Sequence, residues 1–231
     1  MENLLINLSE RESGKRVNLT IPGTLSRDFY ERRTTLVAPD LLGKVLVVRT
    51  SKAKLIAARI VETEAYHGED PASHSCRGKT ERCSIMFGPP GVAYVYFIYG
   101  MYQMLNFVTE PAGYPGAVLI RAVEPVFGEK LMIRRRKSSN LKVSRTDLTN
   151  GPGRLSQAMG IKMGHKGEEL WGPSLFVVDD GYSPAAICVS PRVGISVATD
   201  RLWRYFITDN PFVSKAPQNG VAKGYRKPEV E

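Results

Sequence analysis

A chain of 231 residues and 25.6 kDa, 42% hydrophobic and 24% charged, has enough apolar material for a core and too little charge to be a disordered chain. Lys and Arg outnumber Asp and Glu by 32 to 23, and the formal charge of +9 favours a polyanionic partner. Cys76, Cys83 and Cys188 are too few and too scattered for a disulfide framework, and no run approaches the roughly 20 apolar residues of a membrane span. These bounds predict one domain over residues 23–214, after a polar, irregular segment 1–22 and before a loose basic tail 215–231. They also predict a cytoplasmic protein, or one located wherever its polyanion lies, without a membrane partner.

Ser26 followed by RDFYERR reads as an N-cap and a short helix, and Pro39 as the start of a second, PDLLG. KVLVVR and KLIAARIVETEAY read as two strands paired in a hairpin. Alternation along the second puts Ile60, Glu62, Glu64 and Tyr66 on one face and Val61, Thr63 and Ala65 on the other. Two carboxylates sharing a strand face with a tyrosine are either emerging into solvent or gathered for acid–base work. In HGEDPASHS, Asp70 before Pro71 predicts a capped helical turn that presents His74 near its end. Residues 78–91 are a loop by composition and carry Lys79 and Arg82. His67, His74, Cys76 and Cys83 include no Cys-x-x-Cys pair and no His-Glu-x-x-His helix, so no metal site is predicted.

Val92 to Ile98 and Gln103 to Thr109 are rich in Val, Tyr, Phe and Ile and flank Tyr99-Gly100-Met101-Tyr102, which predicts a hairpin. Hairpin tips normally carry Asn, Asp, Gly or Ser, whereas this one carries two tyrosines and a methionine. Such a tip either folds back onto the core or acts as an apolar wedge between base steps in a DNA minor groove.

GAVLIRAV follows as a strand in which Arg121 either snorkels to the surface or is held against a carboxylate. EKLMIRRRK is helical by composition, and its terminal cations either complement the helix dipole or meet a phosphate. NGPGRLSQAMG has proline in a first helical turn and glycine as a stop; its amides either cap an anion or simply begin a helix. LFVVDD, AAICV, RVGISV and RYFIT read as further strands.

Five of these stretches, ETEAYHGEDPASHS, YVYFIYGMYQMLN, VLIRAVEP, GPGRLSQAMGI and PRVGISV, resemble in order the alkyladenine (3-methyladenine or methylpurine) DNA glycosylases. The resemblance runs from Phe29 to Ser214; the loops 78–89, 138–149 and 162–184 match nothing, and no role is transferred to them. It implies an α+β fold with a curved, mainly antiparallel sheet, short flanking helices and a protruding β-hairpin that enters DNA. It also implies a monomeric, cofactor-free enzyme that hydrolyses the N-glycosidic bond of damaged purines in double-stranded DNA. Glu64 is similar to the family's water-activating acid, and Arg121 to the arginine that holds water and carboxylate. Tyr66, His74 and Tyr96 match the walls between which the extruded base stacks. Asn106 matches the asparagine associated with excluding guanine, Tyr99 the wedge, with Met101 beside it.

Elementary chemistry agrees with that resemblance. A base inside a duplex is out of reach until its nucleotide is rotated out, at a cost of a few kcal/mol. Electron-poor alkylated purines gain about 0.5–2 kcal/mol per electron-rich ring on which they stack. A carboxylate can stabilise the oxocarbenium-like transition state while taking a proton from water. No matched position supplies a lysine nucleophile, so the expected product is an intact abasic strand. Two rivals remain at this stage: a non-catalytic minor-groove binder, which would need the wedge but not Glu64, and a single-strand binder stacking bases on its tyrosines.

Overall fold

The structure is a computed structural model and describes residues 6–12, 15–21, 23–51, 54–98, 100–136 and 143–227. Two runs are apolar for most of their length and form the longest strands, β4 (Lys54–His67) and β7 (Gly116–Phe127), paired antiparallel from Ala57↔Phe127 to His67↔Gly116. Continuous apolar runs of this kind suit strands covered on both faces. Around them lie β3 (Val45–Ser51), β5 (Ala93–Ile98), β6 (Tyr102–Val108), β8 (Leu175–Val178), β9 (Ile187–Ser190), β10 (Arg204–Ile207) and β11 (Lys223–Gly224). The resulting nine-stranded sheet runs in the order β11-β9-β10-β4-β7-β6-β5, and β3 joins the front of β4 to β8. Every strand pair is antiparallel, as expected.

Four helices flank the sheet: α1 (Arg27–Tyr30), α2 (Thr34–Asp40), α3 (Glu129–Arg136) and α4 (Pro152–Met159). The helix expected to start at Pro39 instead starts at Thr34 and has Pro39 near its end. Its N-terminus is capped from a distant part of the chain, which local sequence cannot show: Glu110 Oε1 accepts Thr34 N–H at 2.6 Å and its hydroxyl at 2.8 Å. The helix α4 keeps the predicted bounds, with Pro152 in its first turn and Gly160 left-handed at φ +75° beyond its end. Arg135 of the cationic run donates to the Ala158 and Met159 carbonyls at 3.2 and 2.6 Å, so it caps α4 instead of presenting itself to a phosphate.

Three further expectations are corrected. Residues 1–22 are not irregular throughout: β1 (Ile6–Glu12) and β2 (Lys15–Ile21) pair antiparallel, with Ile6 opposite Ile21 and Leu8 opposite Leu19. Ile6 and Leu8, and Val17, Leu19 and Ile21, stand at alternate positions, a short period that the polar residues around it hide in the sequence. The tail is tied down as far as residue 227: β11 pairs with β9, Tyr225 N–H bonds the Ile187 carbonyl at 2.8 Å, and Tyr225 packs against Tyr205. RVGISV is not a strand; residues 191–203 are a loop whose polar groups go to the site below.

Candidate active site

One face of β4 meets α2, where the Thr63 hydroxyl donates to the Ala38 carbonyl at 2.8 Å. The other face carries Glu62, Glu64 and Tyr66, as the alternation predicts, whereas Ile60, expected beside them, packs in the main core with Val61 and Ala65 because the register shift between Ile60 and Glu62 breaks the alternation. Consecutive register shifts leave Val61 of β4 and Arg121 of β7 without a cross-strand partner. Arg121 uses that freedom to reach both acids: its Nε is 3.0 Å from Glu62 Oε1 and its Nη1 3.4 Å from Glu64 Oε1. A β-bulge re-aims a side chain in this way.

The two acids do different work. Glu62 accepts from Arg121 at 3.0 Å, from Arg204 Nε at 2.6 Å, and from the Ser214 amide and hydroxyl, both at 2.8 Å. Burial alone would raise its pKa, but Arg121, Arg204 and these bonds hold the carboxyl below its ordinary value. Three of these bonds end on Oε1 and one on Oε2, so Glu62 ties β4 to β7, β10 and the segment at Ser214. Glu64 accepts the Val193 N–H on Oε1 at 2.7 Å and the Tyr66 hydroxyl on Oε2 at 2.7 Å. It has no exposed surface in the free protein.

Over this floor lies a cavity of about 340 Å³ lined by Tyr66, His74, Tyr96, Asn106 and Arg121 among others. That volume is at the lower end of the roughly 300–1,000 Å³ of small-molecule sites and suits one flat ring system. His74 bonds the Tyr94 hydroxyl through Nδ1 at 2.9 Å and meets the Tyr96 ring nearly edge-on, with centroids 4.6 Å apart. Tyr94 lies against Tyr96 at 5.2 Å. Asn106 Nδ2 donates to the Tyr94 carbonyl at 3.1 Å, which fixes the amide on the wall formed by β5 and β6. Burial, followed by the nearby Arg82, lowers the His74 pKa, so the imidazole is neutral at pH 7. Burial also raises the Tyr66 phenol well above its ordinary value and pushes Tyr96 up to about 12, so both rings keep their protons.

The hairpin β5–β6 forms where expected and exposes its end: Phe97 is 47%, Met101 68% and Tyr102 43% accessible. Met101 therefore does not fold back onto the core, while Tyr99 lies outside the described residues. The Tyr102 ring sits close over α4, where a Cβ on Gly153 would come within 2.8 Å of it.

Arg121, Tyr66, His74, Tyr96 and Asn106 thus line one cavity, and Met101 lies at an exposed tip; Glu64 has no exposed surface and is not part of the lining, but it bonds Tyr66 and Val193, which are. Sequence reasoning missed Tyr94, Asp70, Arg192, Arg204 and the Val193 amide. A backbone donor leaves no sequence signal, and RVGISV resembled a strand. Among the described residues no three His, Cys, Asp or Glu side chains gather to hold a metal ion, and no helix is long and apolar enough to cross a membrane.

A family model described as methylpurine-DNA glycosylase (MPG) matches residues 28–211, which makes the chain a DNA glycosylase, a hydrolase of DNA repair. Similar proteins provisionally named as 3-methyladenine DNA glycosylases occur in Prosthecochloris aestuarii (49% identical over 197 residues, 84% of this chain and 92% of the relative) and in Chlorobaculum tepidum (44% over 209 residues, 90% and 98%). A third, from Methanocella arvoryzae, is 47% identical over 195 residues, 83% of this chain and 96% of the relative. The chain belongs to the methylpurine-DNA glycosylase family.

Proposed function

We propose that the cavity receives an alkylated or deaminated purine rotated out of double-stranded DNA, and that Glu64 activates the water that releases it. The observation that supports this is a carboxylate clamped by Tyr66 and Val193, two residues that themselves line an aromatic cavity of single-ring-system size. Tyr66, His74 and Tyr96 supply neutral, electron-rich surfaces, on which an electron-poor methylated purine gains more than a normal base. Met101 and Tyr99 at the hairpin tip fill the gap left in the duplex.

The attacking water enters at the floor of the cavity, beside Arg121 and Val193, which both line it. Its oxygen bonds to C1′ of the deoxyribose, its proton passes to Glu64, and the C1′–N bond breaks with its electron pair leaving on the base. A cationic purine is neutralised by that pair and needs no acid. Positive charge that develops on the sugar ring is stabilised by the Glu64 carboxylate, whose orientation Val193 and Tyr66 already fix. No lysine attacks C1′, so the product is an intact abasic strand. The protein acts as a monomer and without a metal or other cofactor.

Free-base release from methylated and deaminated duplexes under single-turnover conditions tests this reading, with strand integrity followed on a denaturing gel. The expected result is base release and an alkali-labile but uncut strand. DNA binding without base release would favour a non-catalytic minor-groove protein instead.

A further inference from the structure

Two irregular segments contribute to the lining of the cavity. The turn after β4 contributes Ala72 and His74 to its lining, and the 191–203 loop contributes Val193, Gly194 and Ile195. Neither has a ladder of backbone hydrogen bonds to fix it, yet both must be placed to within a fraction of an ångström if the pocket is to do chemistry.

What joins them is a pair of side chains with no exposed surface, Asp70 and Arg192. Arg192 Nη2 donates to Asp70 Oδ1 at 2.9 Å, and Nη1 donates both to Asp70 Oδ2 and to the Ala65 carbonyl, the latter at 2.9 Å. Ala65 lies between Glu64 and Tyr66 on β4, and the Arg192 guanidinium is 4.5 Å from the Tyr66 ring centroid. The next residue is Val193, whose N–H meets Glu64 at 2.7 Å. Asp70 in turn orders its own segment, its Oδ1 accepting the Ala72 N–H at 3.2 Å. One guanidinium therefore touches the turn bearing His74, the strand bearing Glu64 and the ring of Tyr66, and its own residue directly precedes the one that binds the carboxylate. A buried ion pair is weak evidence for stability, because desolvation offsets much of its attraction. Its planar, two-pronged geometry is better suited to fixing an arrangement.

We infer that Asp70 and Arg192 are positioning residues for base excision, their buried pair locking the two loops together so that the Val193 amide and the Tyr66 ring hold Glu64 in its working orientation. This rests on the cavity being the base pocket.

The test is Arg192→Lys, which keeps the charge but cannot hold Asp70, Ala65 and the ring at once. For the folded variant, half-saturation on a lesion-bearing duplex should stay within about threefold of the unsubstituted protein. Single-turnover excision at saturating enzyme should fall about 10²-fold, the order expected for a catalytic group displaced by about 1 Å. A purely structural pair would lower the melting temperature and leave the excision constant of the folded fraction unchanged, and that result would overturn the inference. So would an equal loss in lesion binding and excision. If Arg192→Lys does not fold, Asp70→Asn is measured in the same way, and failure of both to fold would show a folding element, not a positioning one. Lack of excision by the unsubstituted protein would sink the base-excision reading and this inference together, whereas equal excision by variant and parent would sink only this inference.

Discussion

Replacing Glu64 by Gln separates the chemistry of the site from its shape. The amide is nearly isosteric, and its carbonyl can still accept the Val193 N–H now bonded at 2.7 Å, while the amide nitrogen faces the Tyr66 hydroxyl, which can turn to accept. Arg121 keeps its bond to Glu62 at 3.0 Å and is not left alone. What disappears is the charge: two charge-assisted bonds become neutral ones, which should lower folding stability by only about 1–3 kcal/mol. The catalytic loss is larger, because an amide cannot take a proton from water and carries no charge to set against the developing oxocarbenium. Loss of a general base typically costs about 10²–10⁴-fold in rate, or roughly 3–5 kcal/mol of barrier. The assay is single-turnover release of the base from a methylated duplex, beside a binding titration on the same duplex. Binding should stay within about threefold, because the walls are untouched. A folded Glu64→Gln protein that excises within about tenfold of its parent would refute the reasoning. Glu62, the other acid on that strand face, would then be the next candidate for the base, with three of its four hydrogen bonds on Oε1 and one on Oε2.

Other substitutions probe the rest of the site. Glu62→Gln breaks a buried pair with Arg121 and Arg204 and should cost about 3–5 kcal/mol of stability by thermal melts. Since the Glu62 pKa is depressed in the folded state, its contribution is complete above the ordinary value of 4.5 and lost as pH falls through the depressed value, so the variant should melt with a shallower dependence on acid pH; an unchanged slope would contradict this. His74, held below its ordinary value of 6.5, stays neutral down to that pH and then puts like charge beside a cationic purine. Excision of 7-methylguanine should decline only below pH 6.5 and His74→Phe should lessen the decline, whereas a fall that begins above pH 6.5 would argue against it. Asn106→Ser gives up the 3.1 Å bond to the Tyr94 carbonyl but opens space for a 2-amino group, so guanine release from mismatched duplexes should rise about tenfold or more. Met101→Ala should change free-protein stability by no more than about 0.5 kcal/mol, yet reduce excision from paired duplexes more than from mispaired ones, which need less unstacking.

Local sequence fixes only what neighbours along the chain can enforce. Period-2 alternation put Glu62, Glu64 and Tyr66 on one strand face, and the proline and glycine flanking GRLSQAM bounded α4 correctly. The aromatic runs around Gly100 made the hairpin legible, and the order of five motifs made the family legible in the sequence. Fold class, the β3–β4 and β5–β6 hairpins and, through the family resemblance, five residues of the cavity lining were therefore within reach of the sequence, whereas the central β4–β7 pairing was not. The different surroundings of the two acids were not, although the resemblance had singled out Glu64. Nothing local distinguishes Glu62 from Glu64, since their difference lies in Arg204 and Ser214, at 142 and 152 residues' remove from Glu62. The Val193 amide reaches Glu64 across 129 residues, and Arg192 reaches Asp70 across 122. RVGISV has the apolar alternation of a strand, but its backbone and arginine are committed to the site, and no sheet edge claims them. Likewise Pro39 looked like a helix start until Glu110, folded in from beyond β6, capped the chain at Thr34. Side-chain periodicity records which residues are to be buried; which buried polar group finds which partner is decided only when distant segments meet, because an unpaired polar group in the interior costs more than any local preference can offset.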